Sequence, residues 1–437
     1  MKLHKVGALA AVSVLAFAAC SSSGGSAAPS AGASAGGSAA AGGDTSKGKA
    51  KIAIELPLQG SEKAASQPIV NGIRLAIKDA GGAAGGYEIV NTDADVYDDA
   101  LNGAHDPQTG ANNMTKIASD GDVIAVIGPL NSSVAKAQIP ISNEGGVLQC
   151  SPANTNPDLT QGAPAAALRT KPNNYIRVVT TDNVQGPAGA QYLYNELKKK
   201  AVYIIDDTET FGKGVADAFE AEFKKLGGTV VKHDAAPKTT QDYVSIMTAA
   251  KALNPDSIYF GGVTATGGAR ILLAAQQVGL GDLPYVGPDG INDGSGATKD
   301  SFLNLAAAAA KNSYSTLAGP GTFDGKEAFD KHYKEVYGID ATGYAGQGYA
   351  CAQVVLDAIN RAGATNPADM AALREAVRVA GTDASHQYTS IVGPITFDQN
   401  GDTSQKIVSI YSYDPAGAEG KGDWKFSTQI DANAPAS

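Results

Sequence analysis

Cysteine, aromatic residues and positive charge are all scarce in this chain. Its 437 residues include three cysteines, one tryptophan and 6% aromatics. Three cysteines exclude a disulfide-rich scaffold and any zinc site built from four thiolates. So few aromatics argue against the stacking platforms that bind single-stranded nucleic acid. Lys plus Arg number 34 against 44 Asp plus Glu, a net charge of −10. Phosphate backbones are held by clustered cations, so no nucleic-acid partner is expected. Catalytic signatures are absent too. His4, His105, His233, His332 and His386 are scattered, with no H-E-x-x-H or C-x-x-C, no G-x-x-x-x-G-K-[ST] loop and no G-x-G-x-x-G after a strand. With no nucleophile–base pair in view, the chain reads as a non-enzyme that uses no cofactor.

Metal patterns also fail. Asp93, Asp95, Asp98 and Asp99 imitate a calcium loop, but Tyr97 stands where an oxygen ligand is needed. Asp398-x-Asn400-Gly401-Asp402 fits a hairpin turn better than a metal site. No metal is expected at either.

The N-terminus carries targeting information. Lys2 and Lys5 precede an apolar run, Val6 to Ala19, that is too short for a comfortable membrane span and has signal-peptide flanks. It ends Phe17-Ala18-Ala19-Cys20, similar to a bacterial lipobox with Phe17 where Leu is usual. Residues 1–19 are therefore expected to be a signal peptide, and Cys20 a lipidated new N-terminus. An ordinary secretory signal with an incidental Cys is the alternative. Ser21 to Gly43 is almost entirely Ser, Gly and Ala, so residues 20–49 read as a flexible tether. Gly32-Ala33-Ser34-Ala35-Gly36 matches a hydrolase pattern, but the motif needs a strand-to-helix elbow and here sits in low-complexity sequence.

Beyond residue 50, short β-branched runs alternate with amphipathic segments. Lys51 to Leu56 reads as a strand, and Pro68 opens a helix with Ile69, Ile73, Ala76, Ile77 and Ala80 on one face. Val123–Ile127 and Val147–Cys150 are strands around a helix from Ser132 to Asn143. The pattern repeats with strands at Ala201–Ile205, Ser257–Phe260 and Pro284–Val286, and helices at Lys213–Leu226 and Ala269–Val278. This is an α/β pattern of two similar lobes, each a parallel sheet flanked by helices. In such sheets ligands bind beyond the carboxyl ends of the strands. Those ends offer Gly128–Ser133, Ser151–Pro157, Asp206–Gly212, Gly261–Thr264 and Gly287–Gly290.

In order and spacing these loops resemble the type I substrate-binding proteins of the Leu/Ile/Val-binding kind, which serve ABC importers. Matching stretches are Ile127-Gly128 through Ser133, Ser151 through Leu159, Phe211-Gly212-Lys213-Gly214 and Gly287-Pro288-Asp289-Gly290. Asn71-Gly72, Gly393-Pro394, Phe397-Asp398 and Gly401-Asp402 also match. The resemblance implies two Rossmann-like lobes joined by three hinge crossovers, near Val179–Asp182, Ser315–Ala318 and Thr403–Ile407. Lobe 1 would comprise 50–181 and 317–403, and lobe 2 would comprise 182–316 and 404–437.

By the same resemblance, the Ser132 hydroxyl and the Thr155 hydroxyl and amide would bind a ligand carboxylate. The Ala153 carbonyl and the Asp289 carboxylate, in a position where the family has Glu, would take the ligand ammonium. Phe211 would pack on the ligand, and Asp182 lies at the hinge. Val263-Thr264 replaces an aromatic wall in the second lobe, Ala64-Ala65 another in the first, and Asn131 replaces a cysteine of a small disulfide loop. Each site residue also has a plainer reading: Ser132 and Thr155 as cap and turn residues, Asp289 as a turn acid, Phe211 as a hydrophobic staple. Cys150 and Cys351 fall in one lobe by the family's layout, so a disulfide and two buried thiols both remain open. The implied function is an extracytoplasmic, lipid-anchored monomer that closes on a small amino acid, branched-chain or related, and meets ABC permease subunits. A sensor or receptor for an amide or aromatic acid, and an exported enzyme, are the alternatives.

Overall fold

The structure, a computed structural model, describes residues 43–433. The expected signal peptide, Cys20 and the tether up to residue 42, including the Gly32–Gly36 pattern, lie outside the described residues.

Two seven-stranded sheets organise the chain. In the first, Tyr87–Val90, Lys49–Glu55, Val123–Ile127, Leu148–Ser151 and Tyr175–Arg177 lie side by side and run parallel. In the second, the parallel order is Thr229–Ala235, Ala201–Asp206, Ser257–Gly261, Tyr285–Gly287 and Ser313–Leu317. All five residues of Val123–Ile127 and of Ser257–Gly261 are buried, as expected of strands covered by helices on both faces. In both sheets the second strand in sequence lies outside the first, and the third lies on the first strand's other side. The chain direction therefore reverses there, which opens a crevice between the first and third strands.

After the last crossing the chain returns to the second sheet as the strand Ile407–Asp414, which runs antiparallel to Ser313–Leu317. It then pairs antiparallel with Asp423–Asp431, a strand that the sequence reading lacks. That strand is half exposed and has no continuous apolar run, so periodicity did not expose it. A second correction concerns Pro68. It does not open its helix, which spans Glu62–Asp79 with Pro68 inside. Buried positions from Ala64 through Ile77 continue across the proline, and this packing outweighs the single hydrogen bond that proline cannot make. The helix lies against Ala345–Ala364, and a Cβ on Gly72 would collide with the Ala345 carbonyl. That close approach accounts for the glycine of Asn71-Gly72.

The first core gathers Ile52, Ile54, Ile127, Ile176, Val355 and Ile359, and the second gathers Tyr203, Ile205, Phe260, Tyr285 and Phe302. Cys150 at a strand end and Cys351 on the Ala345–Ala364 helix are both fully buried in the first core and joined, with an S–S distance of 2.04 Å.

The chain crosses between lobes after Arg177, after Leu317 and before Ile407. Backbone bonds tie the crossings together: Thr180 N–H donates to Ala318 C=O at 3.0 Å, and Arg177 N–H to Gly401 C=O at 3.0 Å. The Arg177 side chain is fully buried. Its Nε donates to Asp402 Oδ1 at 2.7 Å, and its Nη1 to the carbonyls of Asn154 at 3.2 Å and Asn156 at 2.7 Å. Its Nη2 donates to the Thr160 hydroxyl. One cation thus fastens two crossings to the loop that follows Leu148–Ser151.

Candidate ligand-binding cleft

The crevices of the two sheets face each other, and the loops at their strand ends build one cleft. After Lys49–Glu55 come Ser61 and Glu62; after Val123–Ile127 come Leu130, Asn131 and Ser132; after Leu148–Ser151 comes Ala153. The second lobe contributes Phe211 after Ala201–Asp206, Val263 and Thr264 after Ser257–Gly261, and Asp289 to Asp293 after Tyr285–Gly287. Tyr344 closes one side of the cleft.

Ser132 is the first residue of the helix Ser132–Glu144 and is almost fully buried. The chain enters it over Gly128, at φ 137°, where a side chain would collide with the Glu55 carbonyl. No side chain caps this helix. Its Ser132 hydroxyl accepts from Asn156 N–H at 3.4 Å, and the side-chain oxygens of Asn131 and Ser133 are buried without partners. Free amides and the helix dipole favour an anion here. Across the cleft, Asp289 Oδ1 is also buried without a partner. Burial pushes the Asp289 carboxyl up to about 7, with Gln185 and Tyr344 pulling the other way.

Of the expected ligand-binding residues, Ser132, Ala153, Phe211, Thr264 and Asp289 line this one cleft. Phe211 packs with Val215 and Val263, and the Thr264 hydroxyl donates to Gly290 C=O at 3.5 Å. Thr155 and Asp182 are not among the lining residues. They sit behind the cleft, where Asp182 N–H donates to Thr155 C=O at 2.9 Å. The Thr155 hydroxyl and Asp182 Oδ2 are both buried without partners, while Asp182 Oδ1 accepts from Gln185 at 3.1 Å. Burial first, and then the Asp289 charge, raises Asp182 to about 7.

Sequence reasoning missed Glu62, Asn292, Asp293, Tyr344 and His105. Placing the first helix at Pro68 hid Glu62, which opens it. His105 looked isolated but sits on a short hairpin, Ala100–Leu101 with Ala104–His105, that carries it to the cleft mouth. There its Nδ1 meets Glu62 Oε1 at 2.7 Å, and its Nε2 lies 3.8 Å from Glu209 Oε2 of the other lobe. Lys238 Nζ approaches Glu209 Oε1 at 3.3 Å and donates to the His105 carbonyl at 3.4 Å. Burial opposes the His105 charge, but the Glu62 and Glu209 carboxylates outweigh it and lift the imidazole to about 9. The nearby His105 imidazolium, helped by Lys238, in turn holds Glu209 down at about 2. Asn156 Nδ2 also donates across the cleft, to Thr210 C=O at 2.7 Å.

Three of the four acidic residues that imitate a calcium loop have protein partners, while both carboxyl oxygens of Asp99 are buried without one. Arg74 bonds Asp93 at 2.7 Å, Asp95 accepts from Thr92 at 2.8 Å, and Asp98 accepts from the Leu58 amide at 2.8 Å.

Residues 49–418 match the profile of a family described as periplasmic binding protein. The chain is 31% identical over 371 residues to the Leu/Ile/Val-binding protein BraC3 of Rhizobium johnstonii, covering 83% of this chain and 91% of that one. A leucine-binding protein from Thermotoga maritima superposes with a TM-score of 0.74 at 26% identity, over 88% of this chain and 99% of that one. A solute-binding protein of an ABC transporter from Rhodopseudomonas palustris, in complex with 3,4-dihydroxybenzoic acid, shares the fold at 19% identity. Its TM-score is 0.69, over 88% of this chain and 98% of that one. The switch-point crevices, the three crossovers and this match along the chain agree: the protein belongs to the periplasmic binding protein family.

Proposed function

We propose that the chain is an extracytoplasmic receptor that captures an amino acid in the interlobe cleft and presents it to the permease of an ABC importer. One observation carries this reading. An uncapped, buried helix start at Ser132 faces Asp289 on the opposite lobe, one of whose carboxylate oxygens is buried without a partner. The two ends match the carboxylate and ammonium of a zwitterion. Names among the relatives, Leu/Ile/Val-binding and leucine-binding, support an amino acid. The alternative aromatic-acid ligand fits less well, because among the described residues no Lys or Arg lines the cleft and three carboxylates do.

In this reading the ligand carboxylate meets Ser132 and the first-turn amides, with the Thr155 hydroxyl swinging in from behind. Its ammonium lies between the Ala153 carbonyl and Asp289. Phe211 and Thr264 cover it from the second lobe. Asp182 fixes the hinge through its bond to Thr155. Lobe 1 is 50–181 with 317–403 and lobe 2 is 182–316 with 404–437, moving as two bodies that the ligand draws together. No helix among the described residues is long and apolar enough to cross a membrane, and the proposed attachment is the lipid on Cys20. The receptor acts as a monomer, and its partner is the permease. Family members are binding proteins rather than enzymes, so ligand is released unchanged.

A thermal-shift screen tests the reading. A ligand that binds only the native state stabilises by RT ln(1 + [L]/Kd), about 2.7 kcal/mol at a hundredfold excess over Kd. At least one free amino acid should raise Tm, while benzoate and dihydroxybenzoate should not. The absence of a shift with all twenty amino acids would overturn it.

A further inference from the structure

The cleft holds more acid than one α-ammonium can satisfy. Asp289, Glu62 and Asp293 all line it, and among the described residues no lysine or arginine does. Asp289 belongs to the ligand ammonium in the reading above. Glu62 has a cationic partner of its own, His105 at 2.7 Å. Asp293 is left over. It is only 2% exposed, and Oδ1 accepts from the Phe302 amide at 2.8 Å, which fixes the carboxyl in place. Its other oxygen, Oδ2, has no partner.

A buried carboxylate oxygen without a partner is costly, and protein interiors neutralise or pair such groups. A branched aliphatic side chain would bury Asp293 and leave it unpaired. We propose that the ligand of this chain carries a second cationic nitrogen, as a basic amino acid does, and that Asp293 binds it. The proposal rests on the amino-acid reading and narrows it to a substrate class. The cleft supplies the rest of such a side chain's needs. Phe211, Val263, Ala65 and Leu130 line the same space and would cover a methylene stem, as apolar surface does for Lys and Arg generally. Asn292, next to Asp293 and also lining the cleft, has an unpartnered buried amide nitrogen. Its oxygen and nitrogen exchange places by a simple flip, so it can present an acceptor beside the carboxylate. Burial raises Asp293 to about 7, against the pull of the Phe302 amide and the Thr264 hydroxyl, so a bound cation would draw it into the ionised form.

Calorimetric titration of the whole mature protein at pH 7.5 tests this with L-lysine, L-ornithine, L-arginine, L-leucine and L-norleucine. Norleucine keeps the lysine stem and lacks its terminal ammonium. At least one basic amino acid should bind about 10- to 100-fold more tightly than norleucine, the range of a hydrogen bond to a charged group. Asp293→Asn keeps an acceptor for the Phe302 amide, and should remove that preference without weakening norleucine. Leucine or norleucine binding as tightly as every basic amino acid would overturn the proposal while leaving the amino-acid receptor intact. Binding of no amino acid at all would remove both. If Asp293→Asn fails to fold, the lysine-to-norleucine ratio of the unmodified protein decides alone.

Discussion

Two buried polar regions lie within one lobe crossing of each other and are built on opposite principles. At the crossovers, Arg177 spends its donors on Asp402, the carbonyls of Asn154 and Asn156, and the Thr160 hydroxyl. Asp402 also accepts from Gln161 at 2.7 Å. Burial pushes the Asp402 carboxyl up, but Arg177 and Gln161 outweigh it and hold it below the usual range. In the cleft and just behind it, by contrast, Asp289, Asp293 and Asp182 each keep an oxygen without a partner, and burial raises all three to about 7. A satisfied network rigidifies, whereas an unsatisfied one waits for a partner that the protein does not supply. Buried charge is thus closed on itself in the first region and left open to a partner in the second.

The largest effect should come from breaking the satisfied region. Arg177→Met leaves a buried Asp402 carboxylate unpaired, and should cost about 3–5 kcal/mol of unfolding free energy. Urea titration reads this directly. The double variant Arg177→Met with Asp402→Leu should recover much of the loss, because an apolar pair replaces a buried ion pair at little net cost. Next in size is Asp289→Asn. It should leave unfolding free energy unchanged or slightly higher, since it removes a desolvated charge, yet weaken amino-acid binding by about 1.5–3 kcal/mol. Calorimetry and thermal melting of the same variant measure both. If Asp289→Asn destabilised the ligand-free protein as Arg177→Met does, the distinction between the two regions would collapse.

The same contrast predicts opposite pH responses. Asp182, Asp289 and Asp293 have folded values near 7 against an ordinary 3.8. Groups raised on folding contribute stability below their unfolded value and lose it as pH rises through the folded one. Glu55, raised by burial to about 7, and Asp99, raised by burial and the Glu55 charge, act in the same sense. Asp402, lowered in the fold, contributes above its unfolded value and loses this as pH falls. The ligand-free protein should therefore lose Tm between about pH 5 and pH 8, and saturating ligand should reduce that slope by pairing with Asp289. An identical slope with and without ligand would show that these acids do not meet it.

The architecture was readable because alternation of β-branched runs and amphipathic stripes is a property of the sequence itself. Val123–Ile127 and the Lys213–Leu226 stripe, observed as Thr210–Lys225, declare themselves. The cleft-lining residues on loops with family spacing were readable for the same reason: Ser132 and Asp289 sit one loop beyond a strand. Glu62, His105 and Asp293 were not. Their role comes from what faces them, and a carboxylate's partner count cannot be read from one chain segment. Pro68 was misread because a local rule, proline at the first turn, met a buried face that overrode it. The Asp423–Asp431 strand escaped because its register is set by pairing with Ile407–Asp414, not by its own pattern.

The smallest expected effect belongs to the cluster that bridges the cleft mouth, where the two principles meet. Glu209 of lobe 2 is partly exposed, 3.8 Å from His105 and 3.3 Å from Lys238. At 3.8 Å the His105 contact is longer than a hydrogen bond, and the contact with Lys238 is partly exposed, so together they are worth about 1 kcal/mol. Glu209→Gln should therefore barely change unfolding free energy. It should still shift the balance between open and closed lobes, because His105 and Glu209 attract only while the lobes are together. Ligand affinity should fall about two- to fivefold, the equivalent of that energy, and the ligand-free protein should scatter X-rays as a more open particle. His105 holds its proton up to about 9 and Glu209 stays ionised down to about 2, so the contact persists across the neutral range and responds to salt rather than to pH. The affinity of the unmodified protein should accordingly drift toward that of Glu209→Gln as ionic strength rises. A gap that stayed constant from low to high salt would mean that Glu209 acts by packing, not by charge.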